Sequence, residues 1–358
     1  MSEKKHPSCR DIARRAGVSG NTVSLALRNS HRISPATRQL VLRTAAEIGY
    51  TPDPRLKEYM RYIRHRRRTK NLPVLALVNV HSHPLARLTS PNIRGIAAAA
   101  IREASRQGYR LEEFRLEDPE MTPARLSDIL EARGIRGVVI LPLPAGCGPL
   151  DFNWPAFVAV TTCYSAYRMG LNLVTTNRQH YLELALAELR SLGYKRIGLA
   201  MDEDTDNRSH HQTLAHFLWD QSLQSPRTRV PPLLAPTLES DNLGQWLRSE
   251  RPDAVVSTRN HVCGLIRGLG WKIPAQIGFA SLAASARDVP HLAGVDERPA
   301  DVGVSAIDLL VAQLQREEFG LPVTRRLLLV EGSWISGGTV RVVPEAAAVR
   351  HSRKTVNH

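Results

Sequence analysis

Residues 8–29 read SCRDIARRAGVSGNTVSLALRN, a pattern typical of two short helices joined by a tight turn. Gly17 gives the turn the backbone freedom that it needs, and Val18 packs it down. Ser19 can cap the second helix, because its side-chain oxygen can accept a hydrogen bond from a free backbone N–H. Apolar residues recur at helical spacing on the inner side of both helices, namely Ile12, Ala13, Ala16, Val23, Ala26 and Leu27. The stretch therefore predicts a helix-turn-helix.

The outer side of the second helix carries mostly small and polar residues. They are Gly20, Asn21, Ser24, Leu25 and Arg28. An edge of this kind is slim enough to enter the major groove of DNA, where an Asn side chain can hydrogen-bond the edge of a base. We therefore expect the chain to bind DNA.

Positive charge is concentrated near the start of the chain. Residues 1–70 contain 17 Lys or Arg and 5 Asp or Glu, whereas residues 71–358 contain 31 basic and 29 acidic residues. The first fifth of the chain thus holds almost all of the formal net charge of +14. A generally basic protein would spread its charge evenly, whereas neutralisation of DNA phosphates requires the charge in one place. The distribution favours nucleic-acid binding.

A third helix follows the first two. Ser34 can cap it, and Pro35 suits its first position. Gly49 provides an end to the helix. Its inward stripe consists of Thr37, Leu40, Val41, Thr44, Ala45 and Ile48. We expect residues 1–50 to form an all-α helix-turn-helix head.

Residues 51–71 are the predicted connection between this head and the rest of the chain. Pro52 and Pro54 stiffen its start. Residues 55–70 read RLKEYMRYIRHRRRTK, with apolar side chains at helical spacing among basic ones. A single helix of this length is marginal in water, so it would need a partner helix or DNA to form fully. The alternative is a solvated basic linker.

From residue 72 onward, short apolar runs alternate with longer helical segments. The runs are VLALVNV at 74–80, GVVILPL at 137–143, FVAVTT at 157–162, RIGLAM at 196–201, AVVS at 254–257 and IGFAS at 277–281. Strands that are apolar throughout are typical of parallel sheets covered by helices on both faces. We therefore expect residues 72–343 to form a two-lobed α/β core, with a ligand cleft at the carboxyl ends of its strands.

Several other classes of protein are disfavoured by the sequence. The N-terminus has no apolar signal-peptide core, and no window is long enough for a membrane span, so we expect a cytoplasmic protein without a membrane partner. The four cysteines form no CxxC pair, which is typical of reduced structural thiols. Residues 344–358 have a composition typical of a disordered tail.

Catalytic and cofactor motifs are also missing from the sequence. It has no phosphate-cradling glycine loop, nucleophile elbow or metalloprotease helix, and His81 with His83 makes only half of a metal site. Neither the clustered arginines with a Ser nucleophile nor the paired carboxylates of a DNA-cutting enzyme can be identified. We expect no cofactor, no metal and no enzyme activity.

Several motifs together resemble the lactose-repressor (LacI) family of bacterial transcription regulators. The head carries them in order: DIARRAGVS at 11–19, TVS at 22–24, IS at 33–34, TR at 37–38 and GYTP at 49–52. Looser matches follow at 191–201, 273–282 and 325–334, so the resemblance spans nearly the whole chain. It implies a homodimer of periplasmic-binding-protein-like cores with paired heads on a palindromic operator. It also implies a hinge helix that forms on DNA and opens the minor groove.

The chain departs from the family pattern within the predicted DNA-binding segments. Many relatives have an Arg after the Thr-Val-Ser triplet, whereas Leu25 occupies that position here, so base readout must differ. The position of the usual Leu wedge is occupied by Tyr59, with Met60 beside it. The basic run at 64–68 extends beyond a short hinge and offers further phosphate contacts. The predicted DNA-binding residues are Ser19, Gly20, Asn21, Thr22, Ser24, Leu25, Arg28, Ser34, Thr37, Arg55, Tyr59 and Met60.

The predicted effector site departs further from that of sugar-binding relatives. Ala283 and Ala284 stand in the segment where those relatives place an Asp, and the relatives' Asn-Asp pair aligns with Asn260 and His261. Without acidic hydrogen-bond acceptors, a sugar loses the paired bonds that would specify it. The candidate effector-binding residues are Asn177, Arg208 and Asn260, and each has an ordinary loop or capping role as its alternative.

The head, the basic connection and the two-lobed core are together explained by one function. That function is a sequence-specific transcriptional regulator, a repressor by family default, which binds operator DNA as a dimer at the bacterial nucleoid and responds to an unknown small-molecule effector. A solute-binding protein without a regulatory role would explain only the core. A DNA-acting recombinase would need the catalytic residues that the sequence lacks.

Overall fold

The computed structural model describes residues 7–27, 33–50, 72–116, 121–284 and 291–343. The predicted hinge at 51–71 and the predicted tail at 344–358 lie outside these ranges. The same holds for four of the predicted DNA-binding residues, namely Arg28, Arg55, Tyr59 and Met60.

The head consists of three helices around one small apolar core. They are α1 (Cys9–Ala16), α2 (Gly20–Leu27) and α3 (Pro35–Glu47). All three helices contact one another, and their fully buried core residues are Ile12, Val23, Ala26, Val41 and Ala45. Each of these residues lies on the inward stripe that the 3.6-residue period predicts.

The remaining helices and strands belong to two α/β units. In chain order the strands are β1 (Val74–Asn79), β2 (Arg110–Arg115), β3 (Gly137–Ile140), β4 (Val158–Thr161), β5 (Asn172–Thr176), β6 (Ile197–Asp202), β7 (Leu233–Ala235), β8 (Ala254–Ser257), β9 (Gly278–Ala284), β10 (Gly294–Asp296), β11 (Leu327–Val330) and β12 (Ser333–Ile335). The helices are α4 (Pro91–Arg106), α5 (Pro123–Ala132), α6 (Arg178–Ser191), α7 (Glu203–Arg208), α8 (Gln212–Leu223), α9 (Ser240–Glu250), α10 (His261–Gly268) and α11 (Pro299–Arg316).

The chain passes three times between these units. The first unit comprises Met1–Thr175, which includes the head, together with Pro299–Val330. The second unit comprises Thr176–Arg298 together with Glu331–His358. Each unit is therefore built from two separate stretches of sequence.

The first unit contains a six-stranded sheet with the order β11-β5-β4-β3-β1-β2. Strands β1 to β5 pair in parallel. Along β1, Leu75 and Leu77 belong to one apolar cluster and Ala76 and Val78 to another, so both faces of the sheet are covered. Helix α11 packs closely on α4, where a Cβ on Gly303 would lie 2.2 Å from the carbonyl oxygen of Ile96.

The second unit repeats the same strand order. Its sheet runs β12-β10-β9-β8-β6-β7, with β6 to β10 parallel and β12 antiparallel to β10. In both sheets the order reverses between two central strands, β1 and β3 in the first unit and β6 and β8 in the second. The carboxyl end of a sheet at such a reversal is where open α/β folds bind ligands.

The predicted fold class is confirmed: a helix-turn-helix region precedes an α/β core with two parallel sheets. The apolar-run pattern missed six strands, namely β2, β5, β7, β10, β11 and β12. Helix α8 begins at Gln212, because His210 and His211 before it adopt left-handed backbone with φ of 55° and 60°. The domain boundaries that we derived from the sequence remain predictions.

Two properties of the described residues bear on function. None of their helices combines the length and the apolar character that crossing a membrane requires. The same residues contain no group of three or more His, Cys, Asp or Glu side chains arranged to hold a metal ion.

Candidate nucleic-acid interface and ligand site

The turn between α1 and α2 is fixed by local hydrogen bonds. Gly17 ends α1 in left-handed conformation with φ of 66°, which costs glycine little because it has no Cβ. The backbone N–H of Val18 then donates to the carbonyl of Ala13 at 3.1 Å. The start of α1 is held by Asp11, whose carboxylate accepts bonds from the N–H and the hydroxyl of Ser8 at 2.9 and 2.6 Å. The relative direction of the two helices is therefore set by this short segment.

Ser19 caps α2 as its sequence position predicts. Its Oγ accepts the backbone N–H of Thr22 at 3.1 Å and lies 2.9 Å from the Thr22 hydroxyl. The same arrangement recurs at α3, where Ser34 Oγ accepts the N–H of Thr37 at 3.1 Å and lies 2.8 Å from its hydroxyl. Both helix N-termini are thus capped, and helix N-termini attract phosphate groups.

The most exposed part of α2 is its N-terminal turn. Ser19, Gly20 and Asn21 are exposed, whereas Val23 and Ala26 are fully buried. Thr22, Ser24 and Leu25 are half-buried along the sides of the helix. Among the other predicted DNA-binding residues that the structure describes, Ser34 is exposed and Thr37 is half-buried. The helix therefore presents one amide side chain and two very small residues at its leading end.

The described part of the head is rich in arginine. The described part of the head contains Arg10, Arg14, Arg15, Arg38 and Arg43 against only Asp11 and Glu47. Two weak surface pairs, Arg14 with Asp11 at 3.8 Å and Arg43 with Glu47 at 3.7 Å, leave both arginines largely exposed. Exposed pairs of this length contribute little stability, so the positive charge remains available to a polyanion.

The end of the head is joined to its beginning by a side-chain contact. Cys9 Sγ lies 3.1 Å from the hydroxyl oxygen of Tyr50. The backbone N–H of Tyr50 donates to the carbonyl of Ala45 at 2.9 Å, after the left-handed Gly49. Cys9 thus packs against the core of the head, which is the structural role predicted for the thiols of this chain.

Each of the three candidate effector-binding residues is bonded within the second unit. Asn177 caps α6, with its Oδ1 accepting the N–H of His180 at 3.2 Å. Arg208 donates to Asp204 at 3.3 Å. Asn260 donates to the carbonyl of Ala283 at 3.2 Å and accepts the hydroxyl of Ser281 at 2.5 Å. The capping alternative is therefore seen at Asn177, and Asn260 ties the end of β8 to β9.

An ion pair at the strand-order reversal of the second unit was not predicted from the sequence. Asp202 is the last residue of β6, and Arg259 follows β8 by two residues. The carboxylate of Asp202 accepts Nε of Arg259 at 2.6 Å and Nη2 at 3.0 Å. Asp204 lies 3.9 Å from Nη2 of Arg259, so it links this pair to Arg208. The two partners are far apart in sequence, and neither belongs to a recognisable motif.

The environment keeps Asp202 ionised. Burial raises the pKa of its carboxyl, but hydrogen bonds from Arg259 and Thr205 outweigh burial and lower the pKa to about 2. The Arg259 side chain is 42% exposed, whereas the Asp202 side chain is only 8% exposed. Buried Asp202 therefore orients Arg259, whose side chain stays partly open to solvent.

Comparison with known proteins shows two matching family models. The model described as bacterial regulatory proteins, lacI family, matches residues 8–53. The model described as periplasmic binding protein-like domain matches residues 186–340. Together they cover more than half of the chain.

Similar individual proteins match over most of its length. The HTH-type transcriptional repressor CytR of Escherichia coli (strain K12) is 25% identical over 343 residues, which is 89% of this chain and 94% of CytR. Among solved structures, a transcriptional regulator CelR-cellobiose complex matches with a TM-score of 0.55 and 19% identity, over 93% of this chain and 100% of that one. The lac repressor dimer bound to operator and the anti-inducer ONPF matches with a TM-score of 0.54 and 17% identity, over 94% and 100%.

Proposed function

Because the chain belongs to the lacI family of bacterial regulatory proteins, we propose that it is a sequence-specific DNA-binding transcriptional repressor. The relatives that it matches are transcriptional regulators, and this chain is a regulator and not an enzyme. We expect it to act at the bacterial nucleoid.

The proposal rests on one observation, the exposure of the N-terminal turn of α2. Ser19, Gly20 and Asn21 are exposed at a capped helix N-terminus, while the opposite side of the helix is buried against α1 and α3. A helix with small residues at its leading end can approach the floor of the major groove closely, where the Asn21 amide can pair with adenine N6 and N7. We propose that Ser24 and Ser34 position the phosphate backbone beside it.

We propose that two copies of the chain bind one palindromic operator. The matched lac repressor structure is a dimer bound to operator. One head can contact bases through only about one turn of α2. Two heads on half-sites one DNA turn apart would double the number of base contacts. The basic run within residues 55–70 adds positive charge next to each head.

We further propose that the α/β core binds a small-molecule effector. The matched CelR structure contains cellobiose, and both sheets of this chain have the strand-order reversal at which such folds bind ligands. In the second unit Arg259 lies at that position and donates to Asp202, and Asn260 is the next residue in sequence. Because Asp202 balances the charge of Arg259, this position offers oriented N–H donors and little net positive charge. It therefore favours a neutral ligand rich in hydrogen-bond acceptors.

Selection of genomic DNA by the purified full-length chain tests the proposed DNA binding. We expect recovery of fragments that share an inverted repeat, with binding that is reversible and weakens steeply as salt is raised. Random fragments without a shared sequence would contradict a sequence-specific regulator. Cleavage or rejoining of the recovered DNA would favour a recombinase, and absence of DNA binding would favour a solute-binding protein.

The effector proposal needs its own experiment. A thermal-shift screen of sugars, nucleosides and sugar phosphates against the full-length chain should identify neutral compounds that raise the melting temperature. Arg259→Gln should abolish the shift while the head continues to bind selected DNA. If only phosphorylated compounds raise the melting temperature, the proposed preference for a neutral ligand is wrong.

A further inference from the structure

Exposed apolar side chains are concentrated in one short segment of the first unit. Twelve large hydrophobic residues are exposed in the described part of the chain, and five of them lie within residues 321–329. They are Leu321, Val323, Leu327, Leu328 and Leu329. Scattered exposed leucines are ordinary, whereas a contiguous group marks an interaction surface.

Three of these residues are consecutive in strand β11. Successive side chains of a strand point to opposite faces, so exposure of Leu327, Leu328 and Leu329 (45%, 39% and 43%) means that both faces of β11 are open to solvent. Within the described residues, β11 is also the last strand on its side of the sheet. Its outer backbone edge therefore borders apolar side chains on both faces.

The opposite edge of the same sheet is protected against pairing. Strand β2 reads RLEEFR, so four of its six residues are charged. Charged residues on an edge strand prevent unwanted strand pairing, and β11, which reads LLLV, has none. The difference between the two edges indicates that β11 is kept available for a partner strand.

We propose that β11 pairs with β11 of a second copy of this chain, antiparallel and centred on Leu328. In this register Leu328 faces its own equivalent, and Leu327 of each copy faces Leu329 of the other. Opposed residues of an antiparallel pair lie on the same face, so the leucines of both copies form one apolar cluster on each side of the joined sheet. The six-stranded sheet thereby continues into the sheet of the second copy.

The charged residues that flank β11 support this register. It places Arg325 of each copy opposite Glu331 of the other, which forms two opposite-charge pairs. Arg325 is oriented by Tyr167, whose carbonyl accepts its Nη1 at 2.7 Å and whose ring centroid lies 3.6 Å from the guanidinium carbon. Glu331 is 67% exposed. Parallel pairing in register would instead place Arg325 beside Arg325, which like-charge repulsion disfavours.

The number of chains per particle tests the proposal, measured on the full-length protein by light scattering. We expect Leu328→Glu to halve the particle mass, because it buries two facing carboxylates at the centre of the pairing. Glu331→Arg should also halve the mass, since it opposes two arginines. The double variant Arg325→Glu with Glu331→Arg exchanges both charges and should restore the mass of the unmodified protein. The mass halves both for a dimer that separates into single chains and for a closed tetramer that separates into dimers.

A matched control distinguishes strand pairing from nonspecific association through the apolar patch. Val323→Glu adds the same charge to a fully exposed residue of the patch that lies outside β11, and it should leave the particle mass unchanged. Dissociation by Val323→Glu, or failure of the double charge exchange to restore the mass, would overturn the register. A particle mass that Leu328→Glu leaves unchanged would overturn the pairing itself and leave a strand of another protein as the partner to seek. The proposed DNA binding is measured separately, so its failure would not alter these masses.

Discussion

Asp202 holds Arg259 through two hydrogen bonds, Oδ2 to Nε at 2.6 Å and Oδ1 to Nη2 at 3.0 Å, across the point where the strand order of the second sheet reverses. The Asp202 side chain is buried, and the Arg259 side chain is partly open to solvent. This relationship joins the end of β6 to the segment after β8. It thus affects both the stability of the second unit and the shape of its proposed ligand site.

We expect Asp202→Asn to lower the free energy of unfolding by about 2 kcal/mol at neutral pH, because a pKa difference of one corresponds to about 1.4 kcal/mol. The folded-state pKa of about 2 lies below the ordinary pKa of an aspartate carboxyl, 3.8. The Asp202 contribution is therefore complete above about pH 5 and is lost as the pH falls towards 2. Urea unfolding followed by tryptophan fluorescence measures it, since four of the five tryptophans lie in the second unit.

Asp204→Asn is the control for this experiment. Asp204 is more exposed and lies 3.9 Å from Arg259, so its replacement should change the free energy of unfolding by only a few tenths of a kcal/mol. A deficit of Asp202→Asn that stays constant between pH 7 and pH 2 would show that the ion pair does not cause it.

Asn21→Ala should relax base preference at one position in each operator half-site. The lost contact to a base edge corresponds to about 1 to 3 kcal/mol, which is measured as the change in preference in a binding-site selection. Asn21 is exposed, so the fold of the head should be unaffected. Gln39→Ala replaces an exposed amide on α3 and should leave the selected sequence as it is. An unchanged base preference in Asn21→Ala would reject the assignment.

Replacement of Gly17 should destabilise the head through its backbone and not through crowding. No atom lies within 4 Å of a Cβ built at this position, but φ is 66°. Gly17→Ala should therefore cost about 1 to 2 kcal/mol, and Gly17→Asn should cost less, because Asn tolerates left-handed backbone. Amide exchange of residues 9–27 in the full-length chain reports the difference. Equal protection loss in both variants would contradict a backbone cause.

Gly303→Ala should destabilise the first unit by more than the typical helix gain of alanine over glycine, which is about 1 kcal/mol. The added Cβ would lie 2.2 Å from the carbonyl oxygen of Ile96, so α11 would have to move away from α4. Gly264→Ala is the matched helical variant, with no atom within 4 Å of the new Cβ, and it should be stabilising. Thermal unfolding of both variants gives the comparison, and a stabilised Gly303→Ala would refute the close approach.

Replacement of Arg66, Arg67 and Arg68 by Gln should flatten the salt dependence of DNA binding. Each lost phosphate contact reduces the slope of log affinity against log salt by about 0.9, with similar effects on specific and random DNA. Filter-binding titrations between low and high salt measure the slope. A slope equal to that of the unmodified chain would favour the alternative of a solvated linker.

The head was predictable because its signals are local. Gly17, Ser19 and the Ser34-Pro35 pair each specify backbone conformation or capping within three or four residues, and the structure shows the same turn and caps. Strands such as β7, with three residues, and β2, which is mostly charged, lack the apolar run that identifies buried strands. Pairing with a neighbouring strand creates them, and a single sequence does not display that neighbour.

The ligand-site residues were less predictable for a related reason. An Asn before a helix can be either a helix cap or a ligand contact, and the sequence does not distinguish the two roles. The hydrogen bond from the His180 N–H to Asn177 shows that this Asn is a cap. Asp202 and Arg259 meet because β6 and β8 are adjacent in the sheet, although three helices and strand β7 lie between β6 and β8 along the chain. Non-local pairs of this kind carry no spacing pattern.

The threefold passage of the chain between its units has a consequence for synthesis on the ribosome. The first unit needs α11, which supplies Val302, Ala306, Ile307 and Leu310 to its apolar core, and its sheet needs β11. The whole first stretch of the second unit, Thr176–Arg298, is translated before them. At bacterial elongation rates this interval lasts roughly 6 to 25 s. During that time the head can already be folded while the core of its own unit remains incomplete, so nascent chains must rely on chaperones or on rapid completion to keep those apolar strands from aggregating.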